Sequence, residues 1–307
     1  MIVVFGSIGL DIVQSVERLP RPGETVLTAD YVMLPGGKGA NQALAAARAG
    51  GGVQFVASVG DDDFGRLALA NLDQAGVALG QVVRRQRPTA CATISVDRDG
   101  ENQIVVSSGA NLETKAEQLH AGSRQLAPGD LVLQQMEIPL PEICAGVELA
   151  HRRGARNILN AAPFQPIPPA TLAKLDSLIV NEVEAEMLAD NLGLDSGDLK
   201  AACDEVRRRF DVTVVLTLGA DGAITFAPDQ TLRADALPIQ ALDTVGAGDA
   251  FVGAFVAAMG AEMALSDCLR WGSVAGGLAC LKPGAQDGVP DRVEIQARQD
   301  EIAVSAL

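Results

Sequence analysis

Hydrophobic positions along this chain fall into short continuous runs separated by longer stretches of helical period, and that rhythm predicts the layout. Residues 2–5, Ile-Val-Val-Phe, form a β-branched run that stops at Gly6, as a buried strand does. Similar runs at 53–58, 131–134, 157–160, 178–180, 212–217 and 223–226 predict further strands. Helical periodicity from Ala40, over 64–75 and between most later runs fills the gaps. Strands alternating with helices in this way imply an α/β fold whose mostly parallel sheet is covered on both faces. Two stretches break the rhythm. Residues 11–34 alternate in short pieces interrupted by Pro20, Pro22 and Gly23, which suits an antiparallel flap. Residues 91–96 and 103–107 alternate around Asp99-Gly100, a hairpin turn signal. We therefore expect one domain over 1–307, with a small β-lid from about 12–35 and 88–108 projecting from one sheet edge.

Composition narrows the classes of function. The net charge of −15 over 307 residues argues against a general nucleic-acid binder, which needs a basic face. One Trp and one Tyr cannot furnish stacking platforms for single strands. The five cysteines, Cys91, Cys144, Cys203, Cys268 and Cys280, are scattered and odd in number, without zinc-ligand spacing, and suit a reducing compartment. The chain opens directly on a strand, without a basic leader, and its longest apolar run, 250–265, is short for a bilayer and contains Glu262. A cytoplasmic location and no membrane partner are the expectation.

In a parallel sheet, ligands gather at the carboxyl ends of the strands. Polar residues stand where those ends are predicted: Asp11, Glu137, Asn160, Asn181 and the Thr217-Leu-Gly-Ala-Asp-Gly222 loop. The densest chemistry lies in Asp243-Thr-Val-Gly-Ala-Gly-Asp249 followed by an apolar run. We read 241–245 as the end of an extended segment, Gly246-Ala-Gly as a tight turn and Asp249 onward as a helix. Unpaired amides and the helix dipole make such a turn an anion site. An acid at its mouth repels a resting phosphate yet is well placed to accept a proton; the plainer reading is a helix cap. A second loop, Gly36-Gly-Lys-Gly-Ala-Asn41-Gln-Ala, lets backbone approach a small polar ligand, with Lys38 and Asn41 as donors, or is merely a flexible loop with an Asn cap. It lacks the Gly-x-x-x-x-Gly-Lys-Ser/Thr of a P-loop.

Together these two segments resemble the signatures of the ribokinase-like, or PfkB, family of sugar kinases. Three ordered supports strengthen the likeness: Asn181-Glu-Val-Glu, Thr217-Leu-Gly-Ala-Asp-Gly222 and Lys282-Pro-Gly-Ala-Gln. The resemblance runs from Gly6 to Pro290 and implies a three-layer α/β/α domain with a β-sheet lid. It implies ATP-dependent phosphorylation of a primary hydroxyl on a small sugar, ribose first, with another sugar, a sugar acid or a nucleoside as alternatives. Asp249 is implied as general base, with the amides of Gly246, Ala247, Gly248 and Asp249 as the anion hole. Asp11, Gly37, Lys38, Asn41 and Glu137 fall on the family's sugar-binding positions. Asn181, Glu184, Thr217, Gly219, Gly222 and Ser273 fall on its ATP and Mg²⁺ positions, with Ser273 where Asn or His is common. The Asp243 side chain and the carbonyls of Val245, Ala279, Lys282 and Gly284 match a potassium site, although Gly288 stands where a hydroxyl is usual. Gly9 replaces an Asn that commonly faces the sugar, which removes a hydrogen bond and leaves room. His120 and His151 match no motif. Alternating Ile94, Val96, Ile104 and Val106 give the lid an apolar face suited to a homodimer. Two other classes compete. A silent sugar-binding protein on this fold is disfavoured by the intact Asp249 turn, and a nucleotide-dependent oxidoreductase by the absence of Gly-x-Gly-x-x-Gly after the first strand.

Overall fold

The computed structural model describes residues 1–120 and 126–307. In chain order the strands are β1 (Ile2–Phe5), β2 (Gly9–Ser15), β3 (Tyr31–Gly36), β4 (Val53–Gly60), β5 (Ala78–Arg85), β6 (Ala90–Val96), β7 (Asn102–Ser107), β8 (Leu131–Gln134), β9 (Arg156–Asn160), β10 (Ser177–Asn181), β11 (Thr213–Thr217), β12 (Ala223–Phe226), β13 (Thr231–Ala234) and β14 (Val304–Ala306). The α-helices are α1 (Lys38–Arg48), α2 (Asp63–Gln74), α3 (Leu140–Arg152), α4 (Pro169–Leu172), α5 (Glu182–Leu192), α6 (Leu199–Phe210), α7 (Ala247–Gly260), α8 (Leu265–Ala279) and α9 (Arg292–Arg298).

Ten strands form one sheet in the order β14-β13-β12-β11-β10-β9-β8-β1-β4-β5. Alternation along each central strand divides the core. Ile2 and Val4 of β1 join one apolar cluster with α7 and α8, while Val3 and Phe5 join the other with α3, α5 and α6. Burial on both faces is why these strands read as continuous apolar runs. The sheet is parallel from β11 to β5, whereas β11 to β14 pair antiparallel. Three strands differ from expectation. β5 carries Gly80 and two arginines, β13 places Arg233 between Leu232 and Ala234, and β14 spans only Val304–Ala306 around Ser305, so none shows an apolar run. Strand order reverses around β1, which has β8 on one side and β4 on the other. Crevices form where order reverses in this way.

The second sheet, β3-β2-β6-β7, contains both arrhythmic stretches. Asp11 lies inside β2, rather than at the end of β1, and register puts it on one face with Leu34, Ala92 and Val106. Along that face Ile94 opposes Ile104, and both Ile104 and Val106 are exposed. Among the described residues no helix is long and apolar enough to cross a membrane.

Helices α1 and α7 cross at Gly253, and this contact positions the site. A Cβ on Gly253 would stand 2.4 Å from the Ala45 Cβ and 2.7 Å from the Gln42 carbonyl oxygen. Alanines 43 and 45 to 47 line the facing helix, so the two backbones approach closely. Asp249, one turn before Gly253, is thereby laid against Asn41 and Gln42.

Candidate active site

The glycine loop ahead of α1 is shaped by the chain on which it packs. Gly37 sits at φ 89°, and a Cβ there would be 2.8 Å from the Ile8 Cα; a Cβ on Gly39 would be 2.5 Å from the Ser7 nitrogen. Only glycine permits both the left-handed turn and this approach. Glu137 fastens the junction by accepting from Ser7 Oγ at 2.6 Å and from the Lys38 amide at 2.9 Å. Ser7 Oγ in turn accepts from the Gly39 amide at 3.1 Å. Asn111 clamps the next residue, accepting from the Ile8 amide and donating to the Ile8 carbonyl. Ser7 escapes a sequence reading because its partner lies 130 residues away.

At the other signature, 241–245 forms a loop rather than a strand, and α7 begins at Ala247 with Gly246 as N-cap at φ 78°. A Cβ on Gly246 would meet the Ala285 Cα at 2.6 Å. Asp249 is the third residue of the helix, so it does not cap it, and it is 7% exposed. Its Oδ2 accepts from Asn41 Nδ2 at 3.0 Å and its Oδ1 from Gln42 Nε2 at 2.8 Å. The Ala247 amide donates to the Thr244 carbonyl at 3.2 Å. The amides of Gly246, Gly248 and Asp249 have no acceptor among the described residues, so three of the four expected donors are free. Asn41 is not a cap either, since α1 starts at Lys38; its Oδ1 accepts from Gln286 Nε2 at 3.0 Å.

A cavity of about 640 Å³ lies between the two sheets and brings together Asp11, Gly37, Lys38, Asn41, Glu137, Val245, Gly246 and Asp249. Neither histidine lines it. Burial, reinforced by the Glu137 charge, raises the Asp11 carboxyl to about 6. Burial pulls the Lys38 ammonium down, but the charges of Asp249, Glu137 and Glu184 outweigh it and leave Lys38 above its ordinary value. A Cβ on Gly9 would stand 2.9 Å from the Ala90 carbonyl oxygen. The room released by the missing side chain is thus partly taken by β6.

The other predicted residues lie outside this cavity, at neighbouring strand ends. Asn181 and Glu184 form a capping box at the start of α5, with side chain to backbone bonds of 2.8 and 2.9 Å. Burial raises the Glu184 carboxyl despite the Asn181 amide and Lys38, with Asp249 adding to the rise. Thr217 ends β11, and Gly219 and Gly222 both have positive φ in the turn beyond it. Ser273 is buried in α8 with its Oγ unpartnered. Asp243 accepts from the amides of Val245 at 3.0 Å and Gly284 at 2.9 Å, closing two loops together. No backbone amide among the described residues bonds the carbonyls of Val245, Ala279, Lys282 or Gly284. A Cβ on Gly288 would lie 2.5 Å from the Ala279 oxygen, which explains the glycine there.

A fold with its crevice at a strand-order reversal, and an acid beside bare amides at a helix start, define a phosphotransferase layout. Residues 1–292 match the pfkB family carbohydrate kinases. The ribokinase of Haemophilus influenzae is 34% identical over 294 residues, 95% of this chain and 96% of that protein. Among solved structures, the ribokinase of Thermotoga maritima superposes with a TM-score of 0.88 at 32% identity, covering 97% of this chain and 98% of the other. The ribokinase of Arabidopsis thaliana, complexed with ribose and ATP, gives 0.87 at 30% identity over 97% and 98%. The chain belongs to the pfkB family of carbohydrate kinases. It is an ATP-dependent sugar kinase with the ribokinase fold.

Proposed function

We propose that this kinase transfers the γ-phosphoryl group of ATP to the primary hydroxyl of D-ribose, giving ribose 5-phosphate, with Asp249 as general base. The observation that carries this reading is the Asp249 carboxylate, in one cavity with Asp11, Lys38 and Glu137 and beside unpartnered amides. Asp11, Lys38 and Asn41 supply acceptors and donors for neighbouring sugar hydroxyls, with Gly37 allowing close approach; Glu137 braces the loop they stand on. The attacking hydroxyl gives its proton to Asp249. Amides of Gly246, Gly248 and Asp249 then hold the charge building on the transferred oxygens, the electrostatic part of phosphoryl transfer. Ala247 contributes as the first helical residue of that turn, its amide engaged with Thr244 in the free protein. Asn181, Glu184, Thr217, Gly219, Gly222 and Ser273 border the nucleotide, and the unpartnered Ser273 Oγ suits a donor or acceptor on the base. The small sheet acts as a lid that excludes water.

Mg²⁺ would shield the phosphates of the bound nucleotide. No group of three or more His, Cys, Asp or Glu that could hold a metal occurs among the described residues, and Glu184 keeps one carboxylate oxygen outside its capping box, which fits an ion bound mainly through phosphates and water. The carbonyls near Asp243 are hard oxygen donors suited to K⁺. Rates in potassium are expected to exceed those in a large organic cation of equal ionic strength; equal rates would remove the potassium site. The exposed Ile104 and Val106 favour a homodimer through the lid. Light scattering should then give twice the chain mass, and a monomer at working concentration rejects it. Work in the cytoplasm fits five unpaired thiols.

Asp11 supplies a pH dependence. Its carboxyl is raised to about 6, so relative to the unfolded chain its contribution favours folding below the usual carboxylate range and is lost as pH rises through about 6. A sugar hydroxyl donating to the ionised group relieves that penalty. Sugar KM is therefore expected to rise as pH falls through about 6, and Asp11→Asn to remove the dependence. A flat KM between pH 5 and 8 would contradict it. The decisive test of substrate is a phosphorylation screen with Mg·ATP over ribose, deoxyribose, fructose, sugar acids and nucleosides. Ribose giving the highest kcat/KM supports this reading, and a nucleoside or hexose doing so replaces it.

A further inference from the structure

We propose that Gln42 is a positioning residue that fixes the Asp249 carboxylate through a one-way relay of buried amides. This rests on Asp249 being the base. The relay starts at a backbone atom: the Ile179 carbonyl in β10 accepts from Asn160 Nδ2 at 3.1 Å. Asn160 is thereby turned with Oδ1 toward Gln42, whose Nε2 donates to it at 2.9 Å. The second proton of the same nitrogen goes to Asp249 Oδ1 at 2.8 Å. Gln42 Oε1 accepts from Gln135 Nε2 at 2.7 Å. Gln42 and Gln135 are 0% exposed.

Polarity makes this a device rather than packing. Were the Gln42 amide flipped, its oxygen would face the oxygens of Asn160 and Asp249 with no proton between them. Such buried mismatches each cost about 1–3 kcal/mol, so the flip is suppressed. Gln42 therefore presents only a donor to Asp249 and holds its Oδ1 in place. Asn41 differs. It bonds the other oxygen, Oδ2, but lines the cavity, whereas Gln42 does not. An incoming sugar can draw Asn41 away while Gln42 stays. Oδ1 is the anchored oxygen, and Oδ2 is the one left to take the hydroxyl proton. The charged groups coupled to Asp249 are Lys38 on α1 and Glu184 on α5, and the substitutions below leave both in place.

The test is steady-state kinetics on the full chain with Mg·ATP and the best sugar of the screen, as a function of pH. Gln42→Met, similar in shape but without a donor, is expected to lower kcat about 10- to 100-fold, the scale of a misplaced reacting group. Sugar KM should move less than about threefold, because binding contacts are untouched. Gln42→Glu should lose rate as pH rises, because the new carboxyl donates to Asp249 only while protonated. If Gln42→Met lacks a cooperative melt, Asn160→Ala carries the test. It lies outside the cavity, touches Asp249 only through Gln42, and should lower kcat with sugar KM little changed. Wild-type kcat in the folded Gln42→Met and Asn160→Ala variants overturns the proposal. Asp249→Asn separates the two readings: full activity there removes the base assignment itself, while an inactive Asp249→Asn beside wild-type Gln42 and Asn160 variants removes the positioning role alone.

Discussion

Asp249→Asn is expected to lower kcat by about 10²- to 10⁴-fold, the usual contribution of a positioned proton acceptor. The reason is local and has two parts. The substituted amide cannot accept the hydroxyl proton. It also fits its surroundings poorly, because two amide nitrogens, from Asn41 and Gln42, donate to the native carboxylate, and an Asn nitrogen at either oxygen position would meet a donor. Sugar and nucleotide affinity should change little by calorimetry, since Asp11, Lys38 and the strand-end residues are left intact. Asp249→Ala removes the second effect and keeps the first. Comparable losses in both variants would assign the defect to proton transfer. A large residual rate in Asp249→Ala would take the base away from this residue.

Gly253→Val is expected to impair stability and catalysis together. The nearest atoms to an added Cβ are the Ala45 Cβ at 2.4 Å, with the Ala46 nitrogen and Gln42 carbonyl oxygen at 2.7 Å, so relief requires the two helices to part. Overpacking of this kind costs about 1–3 kcal/mol or more, visible as a lower Tm. Separation also pulls α1 donors from the α7 carboxylate, and a displacement of about 1 Å at a reacting group can cost about 100-fold in rate. The paired readout matters: a lower Tm with an unchanged kcat below the melting range would show that the crossing does not position the base.

The layers were legible because each central strand is buried on both faces. Residues 2–5 and 131–133 carry uninterrupted apolar runs, and strands form there in the structure, β8 running one residue further to Gln134. β5 was not legible, since an edge strand covered less completely tolerates Gly80, Arg84 and Arg85. The site was legible as glycines and acids. Their physical reasons were not, because they lie in contacts distant in sequence: Gly39 is glycine because Ser7 backbone lies against it, and Gly246 because Ala285 does. Asn41 was placed on the sugar by motif, yet both ends of its amide already have protein partners. Gln42 carried no signal of its own. Within an alanine-rich helix it resembles filler, and only the placement of Asn160 and Asp249 beside it gives its amide a direction.

Three acids, Glu137, Glu184 and Asp249, act on the ammonium of Lys38, and Asp11 lines the same cavity, in a chain already carrying a charge of −15. An uncharged sugar crosses such a field freely. A naked polyphosphate meets repulsion there, and on the function proposed above ATP is expected to enter with its charge shielded by bound cations. On that reading the charge of the entrance itself helps to tell a cation-loaded nucleotide from a bare one.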